Sequence, residues 1–149
     1  MSVDNTGWEE DNRVYLNEDD QGMNWLLVAL GGAIGAVSRY GLGSYFIKSS
    51  STFPWATWCI NLLGCFLAGV FFAFSQQYPT LQNNARLFLM VGILGGFTTF
   101  SSFGLETFNL LREGQVMWAI GYAVSSVMLG VILLAVGYVI FSHLLPLKT

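Results

Sequence analysis

Charge is scarce in this chain. Asp, Glu, Lys and Arg make up 10% of its 149 residues against 54% hydrophobic ones, and mean hydropathy is +0.56. So little ionised surface excludes an ordinary globular protein in water and points to a membrane protein. The net charge of −3 describes one end rather than the body. Asp4, Glu9, Glu10, Asp11, Glu18, Asp19 and Asp20 all precede Met23, whereas the remainder sets Glu106 and Glu113 against Arg39, Lys48, Arg86, Arg112 and Lys148. With no basic cluster and no aromatic-basic stripe, the sequence carries no nucleic-acid signature.

Cysteine, histidine and catalytic motifs are equally sparse. Cys59 and Cys65 lie six apart in one apolar segment, about 9 Å along a helix axis, too far for a disulfide between them. They read as small buried hydrophobes. His143 is the single histidine, and one His at a span end makes neither a metal site nor a base for membrane-depth serines. No GxSxG or HExxH motif is present, so the chain is not read as an enzyme.

What remains is apolar sequence in long runs. The spans are about 24–47, 55–75, 85–111 and 116–141, each long enough to cross a bilayer. They predict an all-α, polytopic protein: residues 1–22 form an acidic, polar and disordered tail without the basic start of a secretory signal, and residues 23–149 form a four-helix transmembrane unit. Gly31 and Gly35, with Gly32 and Ala36 one residue on, repeat the spacing that lets helix backbones approach closely. Gly64 and Ala68 repeat it in the second span.

Two residues and two stretches stand out against this apolar background. Arg39 lies deep enough in the first span that it must snorkel, pair or face water. Asn61 is the strongly polar side chain of the second span and either ties helices together or offers its NH2 group to something that passes. The third span contains Gly92, Gly95, Gly96 and Gly104 with the pair Thr98-Thr99, a composition that disfavours helix and predicts a break. Non-helical backbone at that depth survives only where protein buries it or where it lines a polar cavity. Beyond the break, Phe100, Phe103 and Glu106 fall at i+3 steps with Ser101 and Ser102 interleaved, a polar-aromatic stripe that simple core packing does not need.

The Lys and Arg residues are nearly balanced between the two ends of a four-span bundle: Arg13, Arg86 and Lys148 on one side, Lys48 and Arg112 on the other, with Arg39 nearby. Orientation follows that bias, so a near-tie predicts insertion both ways up and, given the small-residue faces, an antiparallel homodimer.

The stretches Gly32-Ala33-Ile34-Gly35-Ala36-Val37-Ser38-Arg39-Tyr40, Trp58-Cys59-Ile60-Asn61-Leu62-Leu63-Gly64 and Gly95-Gly96-Phe97-Thr98-Thr99-Phe100-Ser101-Ser102-Phe103 resemble the Fluc-type (CrcB-like) fluoride channel family over all four spans. The resemblance implies a dual-topology homodimer in the cell membrane that lets fluoride leave passively through two pores. It further implies a structural Na+ at the dimer centre, held by the backbone carbonyls of Gly95 and Thr98. The fluoride pathway would comprise Asn61, Thr99, Phe100, Ser101, Ser102, Phe103 and Glu106, with Tyr122 and Ser126 from the fourth span and Arg39 in the vestibule. The acidic tail departs from the compact family pattern, and Gly130 stands where some relatives carry a hydroxyl. The chemistry agrees: a small, strongly hydrated anion crossing a low-dielectric wall needs hydrogen-bond donors and ring edges in sequence. A proton-coupled four-helix exporter is the rival, but it needs a deep carboxylate, and the first two spans have none within their apolar runs. A noncatalytic assembly subunit is the other.

Overall fold

A computed structural model describes residues 18–46, 52–78 and 82–144. Helix α1 (Glu18–Phe46) starts inside the stretch read as tail; residues 1–17 lie outside the described residues. After Pro54 comes α2 (Trp55–Gln77). The third span has two halves: α3, built from Gln82–Ala85, a π-helical stretch Arg86–Leu94 and Gly95–Phe97, then α4 (Phe100–Arg112). Helix α5 (Val116–Leu144) completes four spans long and apolar enough to cross a membrane.

The interruption falls at Thr98 and Thr99, both extended (φ −82°, ψ 156° and φ −149°, ψ 112°). With the third span running from Asn83 to Arg112, this is its middle. The predicted break is present, but its cause is narrower than the glycine content suggested. Gly92, Gly95, Gly96 and Gly104 are all helical; the threonines carry the break. Thr98 turns its Oγ1 back to the Leu94 carbonyl at 2.8 Å, which satisfies the turn locally. Thr99 caps the next helix, its Oγ1 accepting the Ser102 amide at 3.2 Å.

The glycines act through the side chains they lack. α1 and α3 lie backbone to backbone: a Cβ at Gly31 would run into the Phe88 carbonyl, one at Gly35 into the Ile93 carbonyl, and one at Gly92 would come within 2.8 Å of the Gly31 Cα. The small-residue face of α1 is therefore its contact with the broken span. α2 and α5 make the most extensive helix pair, and there the close approach runs through Gly69 against the Leu134 carbonyl and Gly137 against the Phe66 carbonyl. Gly64, flagged by spacing, instead faces the Thr98 methyl at the break.

A tight reversal joins α4 to α5. Gln115 N–H bonds the Leu110 carbonyl at 2.8 Å and Gly114 N–H the Leu111 carbonyl at 3.1 Å, with Gly114 at φ 74°. This is a Schellman termination whose left-handed residue is glycine, the side chain with no penalty there. It folds α5 back so that Tyr122, fully buried, packs with Leu110 and Ala119 under Phe53, Trp58 and Phe103.

Candidate functional site at the broken third helix

The site grows from one question: where do the backbone groups released by the break find partners? In an unbroken helix the Thr99 amide would bond the Gly95 carbonyl. Here it donates to Asn61 Oδ1 at 2.9 Å, while Asn61 Nδ2 donates to the Thr99 carbonyl at 3.2 Å. Asn61 thus grips both polar groups of one residue. The Ser102 amide, which would continue the ladder to Thr98, goes to Thr99 Oγ1. The carbonyls of Gly95 and Thr98 are consequently stripped of their helical donors. That of Gly96 is taken by Arg39, whose Nε donates to it at 3.1 Å. Among the described residues Arg39, half-buried, pairs with main chain rather than with an acid.

Two recesses meet at this break. A cleft of about 470 Å³ is lined by Asn61, Gly95, Thr98, Thr99, Phe100, Phe103 and Ser126, with Cys65 and apolar side chains of α2, α3 and α5 filling its walls. Ser126 Oγ is inaccessible to solvent and has no hydrogen-bond partner among the described residues. A second recess of about 250 Å³ holds Arg39, Ser44, Thr57, Thr99 and Ser102. Thr99 lines both, so the broken segment is the partition between them. Its hydroxyl lies 3.0 Å from Ser102 Oγ and 3.3 Å from Ser101 Oγ, which gathers the donors at the N-terminus of α4, where the helix dipole favours negative charge.

The rings of Phe100 and Phe103 are 5.6 Å apart at 39°. They differ in setting: Phe100 is 84% exposed on the single chain, whereas Phe103 is half-buried and stacks 5.1 Å from Tyr122. One turn further on, Glu106 receives two hydroxyls, Thr57 Oγ1 to Oε1 at 2.6 Å and Tyr122 OH to Oε2 at 2.7 Å. Both bonds are short, as expected for a carboxylate acceptor. Beside them Trp58 Nε1 donates to Ser125 Oγ at 3.0 Å.

This arrangement places polar groups at the middle of a span and leaves Gly95, Phe100 and Ser101 on an outer face. Comparison with known proteins then decides its kinship: residues 26–138 match the family described as CrcB-like protein, Camphor Resistance (CrcB). The chain belongs to the CrcB-like family. It is 50% identical over 115 residues to a protein of Thermus thermophilus named fluoride-specific ion channel FluC, a match covering 76% of this chain and 90% of that one. Proteins of the same name from Chloroflexus aurantiacus, 47% identical over 115 residues, and Saccharophagus degradans, 40% identical over 120, cover 91% and 90% of their own lengths.

In this CrcB-like chain the positions singled out by sequence fall into three groups, with Ser101 beside the first. Asn61, Gly95, Thr98, Thr99, Phe100, Phe103 and Ser126 share the larger cleft, and Arg39 and Ser102 the smaller recess. Ser101 reaches the Thr99 hydroxyl from the exposed side. Glu106 and Tyr122 form a separate cluster linked to the cleft through the Phe103 ring. Thr57 was missed by the sequence reading, although it precedes Asn61 by one helical step of four residues and so shares its face of α2. The Trp58 indole is tied into the bundle through its bond to Ser125.

Proposed function

We propose that the protein is a fluoride-selective channel of the cell membrane that lets F− leave down its electrochemical gradient. The observation that carries this reading is the larger cleft. It sets the orphaned Ser126 hydroxyl, the Asn61 amide and the Thr99 hydroxyl around two phenyl rings and holds no charged side chain. Fluoride accepts hydrogen bonds avidly and carries a tight water shell, so a path for it must offer donors in steps that replace that shell without holding the ion. Asn61 has one N–H left after its bond to Thr99. The Ser126 hydroxyl, buried in the wall of the cleft, has no partner among the described residues and so keeps its proton to give, and the positive edges of Phe100 and Phe103 can meet an anion where their faces exclude water. The positive end of α4 points to the same place. The names of the FluC relatives support the same ion.

Glu106 does not itself attract an anion. Its two oxygens orient the hydroxyls of Thr57 and Tyr122, which makes it an organiser of donors beside the path. The same two bonds disfavour the proton-coupled exporter, since a carboxylate that exchanges protons with cargo must be open to it.

The working unit is an antiparallel homodimer with two pathways. Support comes from the exposed face of the break at Gly95 and Ser101: non-helical backbone and its carbonyls cannot face lipid at mid-bilayer, and a second copy is the partner available to every chain. The fit of a sodium ion rests on the donor set. The carbonyls of Gly95 and Thr98, relieved of their helical amides, are hard oxygen ligands suited to such an ion, and two copies would supply two pairs. Once bound, the ion would supply a buried positive charge that favours anion entry from either side. Flux from reconstituted liposomes tests the reading: rapid fluoride efflux with chloride at least about a hundredfold slower is expected, given how strongly neutral donors distinguish ions of different size. Chloride passing at a comparable rate would remove the selectivity claim.

A further inference from the structure

Arg39 is an arginine within the first membrane span, about two turns before its end, that donates to a carbonyl, and that carbonyl belongs to the residue immediately following Gly95. Gly95 and Gly96 are neighbours in the last turn of α3, so their carbonyls both face its C-terminal end, and the extended Thr98 follows directly after that end. Arg39 Nε occupies the Gly96 carbonyl at 3.1 Å. We propose that Arg39 is a positioning residue for the central cation site: by holding the Gly96 carbonyl it keeps that oxygen out of the ligand set and leaves two per chain. The inference rests on the cation reading given above and deepens it.

Ligand number is what separates cations here. A site that gains an oxygen from each copy suits a larger ion, since cavity size and ligand count set the preference among hard cations. Losing the Arg39 donor should therefore shift preference from Na+ toward K+, a change that loss of packing or of charge does not predict.

Two variants separate these effects. Gln places its amide nitrogen where Arg39 carries Nε, so Arg39→Gln keeps the donor and discards the charge; Arg39→Met matches the length of Gln and loses the donor. Purified full-length protein is melted in detergent across Na+ and K+ titrations in an otherwise cation-free organic buffer, since a ligand bound only by the folded state raises the melting temperature with concentration. The ratio of K+ to Na+ midpoints is expected to fall at least about fivefold in Arg39→Met and to stay within about twofold of the original in Arg39→Gln. Equal behaviour of the two variants overturns the proposal.

Should Arg39→Met fail to fold, carbonyl resonances of the original protein decide the matter. Gly96-Phe97 and Thr98-Thr99 are each the sole pair of their kind in the chain, so dual 13C/15N labelling isolates each carbonyl. The Thr98 resonance is expected to move with Na+ and the Gly96 resonance to stay still; equal movement overturns the assignment. An original protein indifferent to Na+ overturns it as well, and fluoride flux from the same preparation then shows whether the channel reading survives separately.

Discussion

Asn61 is the residue on which most of the site depends, because one side chain satisfies both the N–H and the C=O of Thr99. Its removal leaves two part-buried main-chain groups without partners, at roughly 1–3 kcal/mol each. Asn61→Ala is therefore expected to slow fluoride efflux by at least about tenfold and also to lower the melting temperature, so the amide serves the fold as well as the ion. Normal flux with normal stability would mean that the break is held by other means. Tyr122 makes a more limited contribution. Tyr122→Phe keeps the ring packed on Phe53 and Phe103 and deletes the bond to Glu106, with an expected loss of about 1.5–3 kcal/mol in detergent unfolding, the range for hydrogen bonds to a charged group. A double-mutant cycle with Thr57→Val checks whether the two hydroxyls act on Glu106 as a unit, in which case the losses will not add.

At the scale of elements, α1 is held to α3 by absence of side chains and α4 is turned into α5 by one left-handed residue. These are different uses of glycine and respond differently to the same methyl group. Gly35→Ala drives a Cβ into the Ile93 carbonyl and is expected to cost about 1–3 kcal/mol, because two backbones must separate. Gly114→Ala meets open space and costs about 1–2 kcal/mol from the positive φ alone. Thermal melts of the pair, with flux beside them, distinguish the cases. Gly35→Ala should impair flux because α3 carries the break, while Gly114→Ala should leave the path intact. The π-helical run Arg86–Leu94 has no marker in its composition; its wider winding brings Phe88, Gly92 and Ile93 against α1, a register that only the packed pair of helices can impose.

On the scale of the whole molecule, the near-balance of Lys and Arg between the two ends predicts copies inserted both ways up. A reporter fused to the C-terminus should be found on both faces of the membrane. Detection on one side only would contradict dual insertion and, with it, the antiparallel dimer proposed to cover the break. The single chain gives the proposed dimer its physical reason, since Gly95 and Ser101 stand exposed at the break, where hydrocarbon cannot satisfy released backbone groups.

Composition and periodicity by themselves determined that the chain spans a membrane with four helices, that the third is interrupted, and that Asn61 and the Phe100–Glu106 stripe set polar groups within apolar spans. Each is a property of a run of residues read against a uniform apolar solvent, so no neighbour need be known. Only the tertiary structure decided that two threonines rather than the glycines open the third helix, that Arg39 closes one carbonyl while Asn61 and Thr99 free two others, and that Thr57 joins Tyr122 on Glu106. Hydrogen bonds between helices tens of residues apart leave no periodic trace, because their partners meet through the fold and not along the chain.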